Sequence, residues 1–297
     1  MNILKTGAFL PSKIVKNSYF QNYLDTTDEW IYTRTGIKER RVSENSLAEM
    51  AIESMKHLTQ EELDSIECIL CSTSSPESFF PSTAVLIAQH YKLTCPAFDF
   101  QAACTGFLYG LSLAEGLLAN QYKRVLLIAT EKAYSFSRPE DRNTVILFGD
   151  GAGFFLLERS SKLSQGILAS DGTKSHLLSL TKNSYISMDG KEVFKEAIKG
   201  MYSLITLLIQ QMGISLKDID YFVFHQANKR ILQSLAEKLE IEESKILMNI
   251  EYYANTASAS IPILFHESTP NPIQRGNKIL MAAFGGGLTS GARIFVY

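Results

Sequence analysis

Three residues of types that cooperate in covalent catalysis stand at the ends of predicted elements. Cys104 begins a helix-like apolar run in "AACTGFLYG", His225 directly follows the strand-like run "IDYFVF", and Asn255 opens the small-residue run "ANTASASIPI". A thiol supplies a nucleophile, an imidazole carries a proton, and a carboxamide donates a hydrogen bond to a carbonyl oxygen. The set predicts nucleophilic catalysis on a carbonyl compound.

The position of Cys104 also predicts its ionisation. Unpaired backbone N–H groups and the macrodipole at a helix N-terminus favour an anion. We therefore expect a depressed pKa for the Cys104 thiol and more thiolate at neutral pH. A buried, inert cysteine is the alternative.

Apolar β-rich runs alternate with helical patterns along the chain, which is typical of α/β proteins. The order of elements is repeated: "IECILCS", Cys104, "RVLLIAT" and "VILFGDGAGFFLLE" come first, and "IDYFVFH", Asn255, "KILMAAF" and "ARIFVY" follow. The repeat predicts two related halves. Residues 1–160 carry the thiol, and residues 161–297 carry His225 and Asn255.

Three glycines, Gly106, Gly110 and Gly116, lie in the helix-like run that follows the thiol. Each costs about 1 kcal/mol relative to alanine inside a helix, so close backbone approach is the expected compensation. We expect this helix to pack against the small-residue helix of the other half, at a pseudo-twofold centre.

Composition and charge describe an enzyme-sized chain: 297 residues, 45% of them hydrophobic, with a net charge of −2. Nucleic acid is therefore not an expected partner. We find no signal-peptide pattern and no run of about 18 apolar residues, and expect a cytoplasmic protein that does not enter a membrane. Reduced cysteines fit that compartment. Cys68 and Cys71 form a lone C-x-x-C in a strand-like run, which indicates core packing rather than a metal site.

Six segments, in order along nearly the whole chain, carry a specific resemblance. They are "DTTDEWIYTRTGIKERR", "AACTGF", "DRNTVILFGDGAG", "HQANKRI", "NTASASIP" and "AFGGGLTSGA". Together they resemble β-ketoacyl-acyl carrier protein synthase III of the thiolase-fold superfamily. The resemblance implies an α/β thiolase fold, with two pseudo-twofold-related halves in five αβαβα layers, and a homodimer.

The resemblance also implies an activity for the triad Cys104, His225 and Asn255. Cys104 would take an acyl group from acyl-CoA, and malonyl-acyl carrier protein would then lose CO2 to form an enolate held by His225 and Asn255. The enolate would attack the acyl group, giving a 3-oxoacyl thioester that initiates fatty-acid or related synthesis. The backbone N–H groups of Cys104 and Gly286 would hold the oxyanion, and no cofactor beyond the acyl-CoA substrate is implied.

Further positions match the family's binding residues. Indole and guanidinium planes can sandwich an adenine, and basic side chains can steer an acidic carrier protein. The matches are Trp30, Arg34, Arg142 and Asn228 for CoA, Gly190 and Phe194 for the pantetheine tunnel, Lys195, Arg230 and Lys238 for the carrier protein, and Phe80 for the partner subunit's acyl pocket.

Other reactions stay open on the residues alone. A non-decarboxylating acyl transfer to an alcohol or amine could use the same fold. Cysteine proteases also use Cys, His and Asn in this order, although the papain-type local sequence is absent. "GDGAG" lacks the context of a dinucleotide fingerprint, so NAD is not expected. The chain is shorter than is usual in the family before Cys104 and after Gly153, which leaves the acyl preference undetermined.

Overall fold

The computed structural model describes all residues, Met1–Tyr297. Its strands are β1 (Asn2–Phe9), β2 (Lys13–Lys16), β3 (Glu39–Val42), β4 (Ile69–Ser72), β5 (Ala97–Phe100), β6 (Arg124–Lys132), β7 (Asp150–Glu158), β8 (Ser164–Ser170), β9 (Leu178–Ser179), β10 (Ser187–Met188), β11 (Tyr221–Phe224), β12 (Lys278–Gly285) and β13 (Thr289–Val296).

The α-helices alternate with these strands. They are α1 (Asn17–Phe20), α2 (Asp28–Thr35), α3 (Leu47–Ser54), α4 (Gln60–Asp64), α5 (Thr83–His90), α6 (Gly106–Asn120), α7 (Arg142–Val145), α8 (Gly190–Met212), α9 (Lys229–Leu239), α10 (Ile250–Tyr253) and α11 (Ser260–Glu267). Even α8, at 23 residues, does not combine the length and hydropathy that a membrane-crossing helix requires, and neither does any other helix.

The first large sheet has the strand order β1-β7-β6-β4-β5. β6 runs antiparallel to β7 and parallel to β4, and β5 is a parallel edge strand. β6 and β7 are almost uninterrupted runs of buried residues, as expected for strands covered on both faces. Helices α3 and α5 lie on one face, and α6 and α11 lie on the other.

The second large sheet repeats this pattern with the order β8-β13-β12-β11. β13 is antiparallel to both of its neighbours, and β12 is parallel to β11. A parallel bridge between Phe222 and Ile246 continues the sheet where β5 stands in the first. Helices α8 and α9 cover the outer face, while α6 and α11 share one apolar core with both sheets. The predicted αβαβα layers are thereby confirmed.

The predicted boundary at 160/161 falls in the connection between Glu158 and Ser164, the end of β7 and the start of β8. The two sheets share strand order and direction on either side of it. Because α6 and α11 bury their apolar faces in a common core, the division into two domains remains a prediction.

The glycines of α6 differ in their surroundings. A Cβ on Gly106 would overlap Ser72 Oγ and lie 3.3 Å from Ser258 Cβ, which belongs to the small-residue segment of the other half. A Cβ on Gly110 would instead meet Leu127 of β6, at 2.5 Å. Nothing lies within 4 Å of such an atom on Gly116. The expected approach between halves is present at Gly106, while the expectation for Gly116 is wrong because that position faces open space.

Candidate active site

A cavity of about 600 Å³ opens among residues of both sheets, and the predicted catalytic residues share its wall. Cys104 and Ala103 line it from the first half, and His225, Asn255 and Gly286 line it from the second. No aspartate, glutamate, lysine or arginine is among the lining residues. The polar groups in this cavity are therefore amides, hydroxyls, one imidazole and one thiol.

Cys104 lies in a tight 3-10 turn, Ala103–Thr105, that leads into α6. Ala103 takes a left-handed conformation, with φ of 47°, which costs roughly 1–2 kcal/mol for a residue other than glycine. Such strain is common where a reactive side chain must be aimed. The turn presents the partly buried thiol at the cavity wall.

Burial, followed by the charge of the buried Glu131 carboxyl, raises the pKa of the Cys104 thiol to about 12 against an opposing backbone hydrogen bond. The predicted depressed pKa is therefore wrong for the folded chain. Loss of hydration disfavours the thiolate by more than the backbone hydrogen bond favours it. Cys104 is a thiol at neutral pH, and its attack on a carbonyl requires a base.

His225 follows β11 directly and is 3% exposed. Its backbone N–H donates to Ala282 O at 2.9 Å, which continues the pairing of β11 with β12. Burial lowers the pKa of the imidazole to about 3. The ring is neutral at physiological pH, as a proton acceptor must be.

The hydroxyl of Ser260 orients the imidazole of His225. Nδ1 and Ser260 Oγ are 2.6 Å apart, and the backbone N–H of Gln226 donates to the same oxygen at 3.4 Å. A hydroxyl either donates to Nδ1 or accepts from it, so both neutral tautomers keep this contact. Nε2 is left as the ring nitrogen that exchanges a proton or donates to an oxygen.

Asn255 is held by its own backbone and by its side-chain oxygen. Its N–H donates to Leu147 O at 2.9 Å, and its C=O accepts from the N–H of Gly149 at 3.1 Å. The Oδ1 atom accepts from the N–H of Ala257 at 2.8 Å. Since Oδ1 is engaged, the Nδ2 group is the free hydrogen-bond donor of this side chain.

The "GGG" segment lies directly against the Cys104 turn. A Cβ on Gly285 would stand 2.9 Å from the backbone N of Cys104, and one on Gly286 would stand 3.1 Å from Leu178 O. Only glycine lets the backbone come this close. The approach brings the backbone of residues 285–286 beside that of residue 104, where two N–H groups could meet one oxyanion.

Glu131, at the end of β6, is a buried acid that sequence reasoning missed. Its Oε1 accepts from Ser258 Oγ at 2.6 Å, and its Oε2 accepts from the Ser74 N–H at 3.0 Å and from Ser75 Oγ at 3.2 Å. Burial raises the pKa of the carboxyl to about 7, against these hydrogen bonds. The one sequence feature that could have indicated burial is the position of Glu131 at the end of a long apolar strand. The neighbouring Lys132, however, made the pair Glu131 and Lys132 resemble the solvated end of a strand.

The internal repeat pairs Cys104 with Ser258, not with Asn255 as the sequence suggested. Ala103 and Ala257 both have φ of 47°, and each opens a 3-10 turn that leads into the central helix of its half. The error arose because the sequence repeat aligned the two halves by the spacing of their strands, and that spacing tolerates shifts of a few residues. The matching backbone conformation of Ala103 and Ala257 fixes the alignment residue by residue.

The predicted CoA residues lie close to one another, and Asn228 connects them to the cavity wall. Arg142 Cζ lies 4.7 Å and Arg34 Cζ 5.7 Å from the ring centroid of Trp30. Asn228, which lines the cavity, caps α9 by accepting from the Arg230 N–H at 2.9 Å and donates to Arg34 O at 3.2 Å. The amide of Asn228 thus joins the two halves at the entrance.

The predicted tunnel residues Gly190 and Phe194 line the cavity from the first turns of α8. The three predicted carrier-protein residues are exposed near them on α8 and α9. Arg230 Cζ lies 5.7 Å from the Phe194 ring centroid, and Lys195 Nζ contacts Glu192 at 2.7 Å. Lys238 Nζ lies 4.4 Å from the Tyr202 ring centroid.

Phe80 points away from the cavity of its own chain. It is 86% exposed, beside Phe79 at 74%. The edge strand β5 adds Phe98, at 43% exposed. Exposed aromatic groups beside an unpaired strand edge are typical of a protein interface.

Five αβαβα layers, built from two sheets of like topology around a central helix pair, define a thiolase-fold protein. The family described as "3-Oxoacyl-[acyl-carrier-protein (ACP)] synthase III" matches residues 98–174, and its C-terminal part matches residues 209–297. The chain belongs to the β-ketoacyl-[acyl-carrier-protein] synthase III family and is an acyltransferase of the ketoacyl synthase type.

Relatives and solved structures of this family match along nearly the whole chain. The β-ketoacyl-[acyl-carrier-protein] synthase III of Chlamydia caviae is 42% identical over 98% of this chain and 95% of its own length. That of Aquifex aeolicus is 41% identical over 99% of both. The crystal structure of the Aquifex aeolicus synthase matches with a TM-score of 0.94 over 99% of both chains at 39% identity. The Thermus thermophilus synthase matches with a TM-score of 0.95 over 100% of this chain and 99% of its own at 33% identity.

Proposed function

We propose that the chain condenses an acyl group, taken from acyl-CoA onto Cys104, with malonyl-acyl carrier protein to give a 3-oxoacyl thioester and CO2. The observation that carries this proposal is the convergence of Cys104, His225, Asn255 and Gly286 on one uncharged cavity. Family membership supplies the substrates, since the relatives are synthases named for the acyl carrier protein.

In the first half-reaction Cys104 loses its proton to His225 Nε2 as Sγ attacks the thioester carbonyl. The neutral imidazole is the base that the thiol needs, and the Nδ1–H of the imidazolium that forms donates a hydrogen bond to Ser260 Oγ. The tetrahedral oxyanion is held by the N–H groups of Cys104 and Gly286. Collapse of this intermediate releases the CoA thiolate, which takes the proton back from Nε2.

In the second half-reaction the malonyl carboxylate enters a cavity without a cationic side chain. An unpaired carboxylate is costly there, so loss of CO2 relieves the desolvation. For this step His225 takes its other neutral tautomer, protonated at Nε2 and accepting at Nδ1 from Ser260 Oγ. The remaining enolate oxygen then accepts hydrogen bonds from His225 Nε2–H and from the Asn255 Nδ2 group. Its carbon attacks the acyl-cysteine, and collapse frees the product and the Cys104 thiolate, which takes a proton from solvent water, so that the overall reaction consumes one proton.

Binding is assigned to the surfaces around the entrance. Trp30 and the two arginines that flank it would bind the adenine and phosphates of CoA. The pantetheine arm would lie beside Asn228, Gly190 and Phe194. The basic side chains of α8 and α9 would bind the acidic carrier protein. The Arg142 guanidinium must move away from the Trp30 ring to admit a base, because it already lies 4.7 Å from the ring centroid.

We further propose a cytoplasmic homodimer in which Phe80 enters the acyl pocket of the partner subunit. The exposed Phe79, Phe80 and Phe98 support an interface along β5, and four free cysteines suit a reducing compartment. No further cofactor is assigned, since decarboxylation itself drives formation of the carbon–carbon bond.

The test compares products from acetyl-CoA and malonyl-acyl carrier protein. Stoichiometric release of CO2 together with 3-oxobutanoyl-carrier protein is expected. An ester or amide formed without CO2 would instead indicate acyl transfer without decarboxylation, and free acetate alone would indicate a hydrolase. Cys104→Ala should form none of these products.

A further inference from the structure

A small apolar cluster closes the cavity beside the thiol. Its buried members are Ala133, Phe136, Phe148 and Ala257, and Cys104, Leu147 and Ile186 pack against them. Phe136 and Phe148 also line the cavity. Because Cys104 packs against this cluster, an acyl chain attached to its Sγ would begin beside these side chains.

Phe136 is a fixed part of this cluster. It ends a 3-10 turn directly after β6, and its carbonyl accepts from the Ile186 N–H at 2.8 Å. Its ring meets that of Phe148 edge to face, with 6.0 Å between centroids. Phe148 in turn forms a backbone bridge with Asn255. The Phe136 ring, 8% exposed, is therefore held against the catalytic backbone rather than free to swing away.

We propose that Phe136 is the specificity-determining residue that limits the length of the primer acyl group. The inference rests on the proposed acylation of Cys104. The Phe136 ring lines the cavity and belongs to the cluster against which Cys104 packs, so a longer chain on Sγ would meet this ring.

The experiment measures rates of Cys104 acylation, by intact mass, with acetyl-, butanoyl-, hexanoyl- and octanoyl-CoA. Each additional buried methylene is worth about fourfold, so Phe136→Ala should raise the hexanoyl-to-acetyl rate ratio by about tenfold or more. Phe136→Leu should shift it in the same direction by less, and Phe136→Trp should shift it toward acetyl. Phe194→Ala, the matched change on the entrance side, should alter all chain lengths alike.

The proposed function and the inference fail separately. Absence of acylation by every acyl-CoA in the native chain would refute the function. Acylation with chain-length ratios that stay unchanged in Phe136→Ala and Phe136→Leu would refute the inference alone, as would a shift produced only by Phe80→Ala.

Discussion

Replacing Glu131 with glutamine removes one buried charge and leaves its contacts in place. The amide oxygen can occupy the Oε2 position and accept from the Ser74 N–H and Ser75 Oγ, while the amide nitrogen donates to Ser258 Oγ, now 2.6 Å from Oε1. Ser258 needs only to rotate its hydroxyl, since a hydroxyl donates or accepts. The effect of Glu131→Gln is therefore electrostatic.

The Glu131 carboxyl should contribute a loss of stability as pH rises from its ordinary pKa to its pKa in the folded chain. Burial raises the pKa of this carboxyl from 4.5 to about 7, so between these values the folded state keeps a proton that the unfolded state has released. The free energy of unfolding falls with pH wherever the folded state binds more protons. At about 1.36 kcal/mol for each pH unit, the loss is on the order of 3 kcal/mol.

Urea unfolding at about pH 5 and about pH 8 measures this difference. Between these two pH values the free energy of unfolding should fall by roughly 2–3 kcal/mol more in the native chain than in Glu131→Gln, and Glu140→Gln, a change of an exposed acid, should behave like the native chain. Asp150, whose pKa burial raises to about 6, adds a decline, and His225, whose pKa burial lowers to about 3, adds a rise, but both act alike in all three proteins and cancel in the comparison. Equal declines in the native chain and Glu131→Gln would refute a buried, titrating Glu131.

The same variant should change the thiol. The Glu131 charge raises the pKa of Cys104, so in Glu131→Gln the pH midpoint of alkylation by iodoacetamide should move lower. An unchanged midpoint would show that the carboxyl does not act on the nucleophile.

Three further predictions concern other parts of the site. Ser260→Ala should lower the condensation rate about tenfold, because the imidazole of His225 loses a hydrogen bond worth roughly 1 kcal/mol or more. A decarboxylation assay measures this rate, and a rate equal to that of the native chain would contradict the prediction. Trp30→Ala should raise KM for acyl-CoA about tenfold, because stacking and cation–π contact with the nucleotide are lost. KM for a short thioester without the nucleotide should not change. Equal effects on both substrates would contradict the assignment of Trp30 to CoA binding. Paired charge reversal, Arg230→Glu with Lys238→Glu, should raise KM for malonyl-acyl carrier protein about tenfold at low salt and less at high salt, and a salt-independent effect would count against electrostatic docking.

The alternation of strand-like and helix-like runs predicted an α/β protein with two related halves because it depends on local patterns, whereas the five layers were implied by the resemblance to the family. Apolar runs such as that of β6 fix buried strands, and the polar residues that follow or interrupt them lie at the sheet edges that form the cavity. Cys104, His225, Asn255 and Gly286 meet at this cavity as expected from their positions, although their roles remain predictions.

The remaining features depend on three-dimensional surroundings that spacing does not encode. The pKa of Cys104 is set by burial and by Glu131, which stands 27 positions further along the chain. Gly116 looks like Gly106 in sequence but faces open space. Ser260 belongs to the segment "NTASASIP", but its contact with Nδ1 of His225 joins residues 35 positions apart and could not be read from that segment.

A single turnover starting from isolated acyl-enzyme tests the central claim most directly. The chain is acylated with acetyl-CoA, freed of CoA, and mixed with malonyl-acyl carrier protein, while peptide mapping follows the acyl group. The account predicts that the acetyl group resides on Cys104 and that its disappearance, the release of CO2 and the formation of 3-oxobutanoyl-carrier protein occur together in equal amounts. An acetyl group on another residue, or its persistence on Cys104 while product forms, would contradict the account.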